Sequence, residues 1–284
     1  MAGLLSVVGT PIGNLQDASP RVIDVLGRAD VVLCEDTRVT GKLLSAFGLR
    51  TRLERCDENV IASRVPAVLE RLEAGERVAF VSDAGMPGVS DPGQKLVDAA
   101  LDAGLKVEGV PGPSAVTCAL VASGLASEHF FFEGFLPRKK SAQVTRLEEL
   151  ACIPGALVVY ESPRRVAATL ANVAEVFPAR RVALVRELTK LHEECVRGLS
   201  GELAEAIAAR DEVRGECVVV IATPDDEELD ERRRAAAGGP ATLEEAIAEG
   251  ISAGEPKSGL ARRLAREFGV PKSEVYDAIL EAEA

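Results

Sequence analysis

The sequence predicts an α/β protein of two α/β halves followed by a small helical appendage. Two observations carry this. Short apolar runs alternate with amphipathic helical stretches, the pattern of mostly parallel strands joined by helices. The chain is 284 residues long, enough for about two domains and an appendage.

Taken in order, strands are expected at 4–8, 31–34, 77–81 and 106–110, then at 156–160, 181–185 and 216–222. Helical periodicity marks 61–74, 94–103, 114–123 and 163–176 between them. The pattern pauses at 127–135, and Pro137-Arg138-Lys139-Lys140 reads as a polar loop. Ser19-Pro20, Asp91-Pro92, Pro113-Ser114 and Ser162-Pro163 each precede a helical pattern, as a capping residue beside a first-turn proline does. The expected units are 1–113, 114–225, a charged flexible linker over 226–241, and a helix-turn-helix-like appendage over 242–284 with Ser273 as a cap.

Composition narrows the function. Hydrophobic residues make up 47% and charged residues 27%, which excludes disorder and coiled coil as the main architecture. A net charge of -12 argues against a generally basic nucleic-acid binder. Aromatics at 4%, with no Trp, argue against a surface built from base-stacking platforms. Six scattered cysteines without a C-x-x-C pair, and two isolated histidines, predict neither disulfides nor a metal centre. The N-terminal run lacks a leader pattern and no apolar stretch approaches a membrane span, so the expectation is a cytoplasmic protein with no membrane contact.

Three glycine- and proline-rich loops come directly after strands: Gly9-Thr10-Pro11-Ile12-Gly13-Asn14-Leu15, residues 82–93, and Val110-Pro111-Gly112-Pro113-Ser114-Ala115. Glycine permits close backbone approach to a ligand and proline fixes the loop in advance. None is a dinucleotide-binding fingerprint or a Walker A loop. Three in one half of the chain predict a small-molecule site at the carboxyl ends of parallel strands. Asp83, at a strand end, suits a ribose or an amino group.

These loops, with Cys34-Glu35-Asp36-Thr37-Arg38, resemble the tetrapyrrole-methylase-type, S-adenosylmethionine-dependent methyltransferases. Phe135-Leu136-Pro137-Arg138, Tyr160-Glu161-Ser162-Pro163-Arg164-Arg165 and 186–194 narrow the resemblance. They are similar to the branch that 2'-O-methylates a cytidine ribose in the decoding centre of 16S rRNA. The resemblance spans residues 4 to about 223. It implies two α/β domains, a cofactor cleft between them and a homodimer. S-adenosylmethionine would be held by Pro11, Ile12, Asp83, Ala84, Gly85, Met86, Ser114, Ala115 and Tyr160. The partner would be 16S rRNA within the small ribosomal subunit.

A ribose hydroxyl is a poor nucleophile and benefits from a general base. Glu35, Asp36, Glu187 and Lys190 lie at or just past strand ends, and Asp36 and Lys190 are the catalytic candidates, against a structural role for each. An RNA groove would draw on Arg21, Arg38, Lys42, Arg138, Lys139, Lys140, Arg164 and Arg165. Arg21, Arg164 and Arg165 are expected in first helical turns, where positive charge costs roughly 0.3–1 kcal/mol against the helix dipole. Either phosphate binding or pairing with Asp24 or Glu161 would offset that. Two alternatives keep their place: the same donor with a tetrapyrrole or protein acceptor, and a ligand-sensing DNA-binding regulator.

Overall fold

The computed structural model describes residues 3–89, 93–236 and 242–282. The expected Asp91-Pro92 helix start and the end of the expected linker, 237–241, lie outside the described residues. The first half runs β1 (Leu4–Val8), α1 (Pro20–Arg28), β2 (Val31–Cys34), α2 (Thr37–Ala46), β3 (Leu53–Arg55), α3 (Ile61–Glu73), β4 (Arg77–Val81), α4 (Gln94–Asp102) and β5 (Lys106–Val110). The second runs α5 (Ala115–Ser123), β6 (Phe130–Phe135), α6 (Lys140–Leu150), β7 (Ala156–Glu161), α7 (Val166–Val176), β8 (Arg181–Arg186), β9 (Glu194–Leu199), α8 (Ser200–Ala208) and β10 (Cys217–Ile221). Then come α9 (Asp226–Ala236), α10 (Leu243–Ser252), α11 (Lys257–Phe268) and α12 (Lys272–Ala282).

The first sheet has the order β3-β2-β4-β1-β5, with every pairing parallel. Its inner strands β2 and β4 are buried on both faces, so they read as unbroken apolar runs such as Val31-Val32-Leu33-Cys34. Leu26 and Leu44 from α1 and α2 pack on one face with Val32 and Val81. Leu72 and Leu96 from α3 and α4 pack on the other with Leu33 and Phe80. Ser19 caps α1, its hydroxyl accepting from the Val22 amide, with Pro20 in the first turn.

The second sheet has the order β6-β7-β10-β8-β9. Only β6 and β7 run parallel; β10 is antiparallel to β7 and β8, and β9 to β8. This departs from the expectation of mostly parallel strands. Alternation divides its two cores: Leu157, Val159, Leu184 and Val219 face α6, α7 and α8, whereas Val158, Ala183, Val185 and Val220 face α5. Ile12 of the first half joins the α5-side core and ties the halves together.

Other expectations also need correction. Residues 127–135 hold β6 instead of a pause, and β3 and β9 are absent from the expected set. Both lie at sheet edges, where one-sided burial dilutes the apolar signal. The segment from Asp226 is not a flexible linker but α9, docked on the second half. Its Glu228 accepts from Arg180 Nε at 2.9 Å, and its Arg232 guanidinium lies 5.8 Å from the Phe177 ring. Helix α7 begins at Val166, so Arg164 and Arg165 occupy the turn before it and not its first turn. The last helix starts at Lys272, so Ser273 sits inside it and does not cap it.

Candidate active site

Strands β1 and β4 are neighbours whose chains leave toward opposite sides of the sheet, a topological switch point that opens a crevice at their carboxyl ends. The loops after β1, β4 and β5 close on one another there. Thr10 and Gly85 exchange backbone hydrogen bonds at 2.9 and 3.1 Å, and the Gly9 amide donates to Val110 at 3.0 Å. Glycine is required by contact: a Cβ on Gly112 would lie 2.6 Å from the Gly9 backbone, and Gly85 has φ +81°.

Above the crevice lies a cleft of about 460 Å³ lined by both halves. Ile12, Ala84, Gly85, Met86 and Val89 line it from the first half. Ser114, Ala115, Phe135, residues 160–163 and residues 215–218 line it from the second. Of the residues the resemblance implies for the cofactor, Ile12, Ala84, Gly85, Met86, Ser114, Ala115 and Tyr160 are therefore on the wall. Pro11 and Asp83 are not: Pro11 is buried in its loop, and Asp83 accepts the Asp36 amide at 3.1 Å, joining the β4 loop to the start of α2.

Residues 215–218 escape the sequence reading because a parallel β10 would start at the far end of its sheet. Running antiparallel, it begins where β7 and β8 end: Cys217 pairs with Glu161 and with Arg186. Only the turn glycine, Gly215, marks the place in the sequence.

The candidate bases separate by their partners. Asp36 is the N-cap of α2, accepting from the Arg38 amide at 2.8 Å and from its guanidinium at 2.6 Å. Those hydrogen bonds hold its carboxyl well below the usual range. Glu35 lies beside it, between β2 and α2. Glu187 has left-handed backbone, φ +52°, and accepts from Lys190 Nζ at 2.9 Å and the Glu216 amide at 3.0 Å. The Lys190 hydrogen bond lowers its carboxyl. Burial pulls the Lys190 ammonium down, but Glu187 and Glu216 (Oε2 at 3.2 Å) outweigh it and raise the value. Lys190 is thus a fixed cation. Its stem packs on the first half, where a Cβ on Gly13 would lie 2.6 Å from Lys190 Cγ. Glu161 lines the cleft with a fully buried side chain that accepts from Arg165, the Ser162 amide and the Thr169 hydroxyl. Cys217 is a neutral thiol there, pushed up to about 11 by burial.

The basic residues also divide. Arg21 pairs with Glu108 at 2.9 Å, Arg38 with Asp36, Lys140 with Glu175 and Arg165 with Glu161. Lys42, Arg138, Lys139 and Arg164 are exposed. The last three follow the exits of β6 and β7, which are parallel neighbours joined there by Arg165 Nη2 donating to the Leu136 carbonyl. Among the described residues no group of side chains is arranged to hold a metal ion, and no helix is long and apolar enough to cross a membrane.

An all-parallel domain and a mixed one, meeting at a largely apolar cleft, define an α/β protein with a small-ligand site shared between its halves. The chain belongs to the Tetrapyrrole (Corrin/Porphyrin) Methylases, whose family model matches residues 4–204. It is 45% identical over 284 residues to the ribosomal RNA small subunit methyltransferase I of Mycobacterium bovis, covering 99% of this chain and 96% of that protein. Its identity to the Mesorhizobium japonicum protein of that name is 41% over 278 residues, covering 98% and 91%. The fold is also that of a conserved hypothetical protein from Aeropyrum pernix, with TM-score 0.63, 20% identity and coverage of 97% and 99%. Uroporphyrin-III C-methyltransferase from Thermus thermophilus complexed with S-adenyl homocysteine matches with TM-score 0.55, 21% identity and coverage of 77% and 96%.

Proposed function

We propose that the protein methylates RNA of the small ribosomal subunit with S-adenosylmethionine as donor, placing the methyl group on the 2'-oxygen of a cytidine ribose in 16S rRNA. The observation that carries this reading is the shared cleft, found in a chain collinear over nearly its whole length with relatives named for small-subunit rRNA methylation. The cleft suits the donor. Its volume falls in the range of small-molecule sites, its walls are mostly apolar, and its glycine loops allow backbone to approach a nucleoside.

When bound, the donor supplies an electrophilic methyl group on a cationic sulfur. Ile12, Ala84, Met86 and Tyr160 exclude water around it, and Gly85, Ser114 and Ala115 bring backbone alongside. Lys190 spends two of its three N–H groups on Glu187 and Glu216 and so positions Glu216 on the cleft wall. Lys190, held as a cation, has no lone pair for a proton, and Asp36 is a weak base because both its oxygens accept from Arg38. Glu216 is 78% exposed, lines the cleft and is tethered through Oε2 to Lys190. It is the carboxylate placed to take the hydroxyl proton as the oxygen–methyl bond forms. Arg138, Lys139 and Arg164 support a phosphate-contacting edge. The enzyme would act in the cytoplasm as a homodimer, on the small subunit as substrate and without a metal.

The test uses methyl-labelled donor and small subunits from cells lacking the protein. Label in alkali-resistant dinucleotides is the expected result, since a blocked 2'-oxygen cannot attack its phosphate. Label in mononucleotides would move the acceptor to a base, and absence of label would move it to a tetrapyrrole or a protein. Glu216→Gln should lower turnover by about 10²–10⁴-fold, the range of general acid–base catalysis, with donor affinity by calorimetry unchanged. Turnover within threefold of wild type removes Glu216 as the proton acceptor.

A further inference from the structure

We propose that Phe135 is the stacking platform for the base of the target nucleotide, with Arg138, Lys139 and Arg164 holding the flanking phosphates. This rests on the RNA reading above and adds a residue that sets how the acceptor is presented.

Strand β6 carries three consecutive phenylalanines and a fourth at its end. Phe131 packs into the core beneath α6 and α7, and Phe132 into the core on the α5 side. Glu133 returns to the first face, where it accepts from Arg146 of α6 at 2.7 and 2.8 Å. Strict alternation would then send Phe135 to that same face, under the helices.

It does not go there. The register with β7 shifts between Phe132 and Gly134, and Gly134 has φ +79°, backbone that favours glycine. This bulge inserts one residue and inverts the parity of the strand beyond it. Phe135 therefore pairs with Tyr160, their ring centroids 5.7 Å apart at 62°, on the face that lines the cleft. Phe135 is 63% exposed there. An exposed ring on a cleft wall, aimed by a dedicated backbone irregularity, is not explained by packing.

The charges beside the ring set the class of occupant. Three residues beyond it stand Arg138 and then Lys139, and Arg164 comes from the adjacent strand's exit; all are exposed. An aromatic face beside unengaged cations is the arrangement that takes a single-stranded nucleotide, with the base on the ring and phosphates on the cations. A ribose methylated in place must present its 2'-oxygen to the cleft, and clamping the base on one side and the phosphates on the other orients the sugar between them. The low aromatic content of the chain is compatible with this, since one ring suffices for one base.

The experiment compares Phe135→Leu and Phe135→Tyr with wild type on the unmethylated small subunits. Methylation kinetics, subunit binding and donor affinity by calorimetry are read for each. Phe135→Leu should lose roughly 5- to 150-fold in kcat/KM, the value of one base–aromatic stack, at unchanged donor affinity. Phe135→Tyr should recover most of it. A leucine variant equal to the tyrosine variant overturns the stack, leaving only an apolar contact. A parallel fall in donor affinity overturns it too, assigning the ring to the donor. If the wild-type protein labels no RNA at all, the RNA reading fails and the stack falls with it, a result distinct from either variant outcome.

Discussion

Gly215 controls the cluster around Lys190. Its φ is +87°, and a Cβ there would fall 2.2 Å from Glu187 Oε1, the oxygen that receives Lys190 and the Glu216 amide. Gly104 has similar backbone, φ +70°, with nothing within 4 Å of a Cβ. Gly104→Ala should therefore cost only the left-handed strain, about 1–2 kcal/mol. Gly215→Ala should melt lower than that and lose at least tenfold in turnover, because the Glu187 carboxylate is displaced. Equal melting temperatures and full activity would show that Glu187 relocates freely. Glu194 offers a pH-dependent counterpart. Hydrogen bonds from Arg210 and Arg186 lower its carboxyl from 4.5 to about 2. The folded value lies below the unfolded one, so its contribution is complete above about pH 4.5 and is lost as pH falls toward 2. The side chain is about a third exposed, so after solvent screening the contribution is about 1–2 kcal/mol. Arg210→Ala should lower stability most above about pH 4.5, with the deficit narrowing as pH falls and closing only near pH 2; a deficit that does not change with pH would remove Glu194 as its cause.

At the scale of elements, the start of α2 shows how a residue selected for chemistry can serve the backbone. Asp36 is a candidate base by its place after a strand; the structure uses both its oxygens on Arg38 and the helix amide. Asparagine keeps the cap, whereas alanine removes it at a cost of about 0.5–2 kcal/mol. Asp36→Asn should thus retain turnover within a few-fold, and Asp36→Ala should lower the melting temperature. A large loss of turnover in a stable Asp36→Asn would restore Asp36 to the chemistry. Elements buried on both faces are legible: Leu-Leu-Ser-Val-Val and Val-Val-Leu-Cys announce strands whatever their neighbours do. Edge strand β9, Glu-Cys-Val-Arg-Gly-Leu, does not, because its charges face solvent and partner side chains. Nor does β6, whose bulge breaks the period of two on which strand recognition relies. The same division runs through the site. Loops after parallel strands can be placed on the cleft from sequence, but residues 215–218 cannot, since strand direction is a property of the finished sheet. For Arg165 the sequence leaves phosphate binding and pairing with Glu161 both open, and the fully buried Glu161 carboxylate makes the pair.

For the whole molecule, the C-terminal helices form a unit with its own core. Ile247, Leu260, Leu264, Val275 and Ile279 are buried against one another, and α9 before them is fixed to the second half through Arg180. A chain ending at residue 236 should keep the main cooperative melting transition and full donor affinity. Loss of donor binding in that shortened chain would mean the helices brace the cleft.

The position of β10 carries a consequence for synthesis. It is the last strand of its sheet to be made, yet it occupies the middle of that sheet, between β7 and β8. Until it emerges from the translating ribosome, those two strands have no neighbour to join them and expose facing edges to solvent. The wall formed by 215–218 is missing for the same interval. A nascent chain can complete its first sheet once residue 110 is made, but closure of the second waits for residue 221. Premature termination anywhere before residue 221 leaves an open, adhesive sheet that suits quality-control proteases and chaperones better than any substrate.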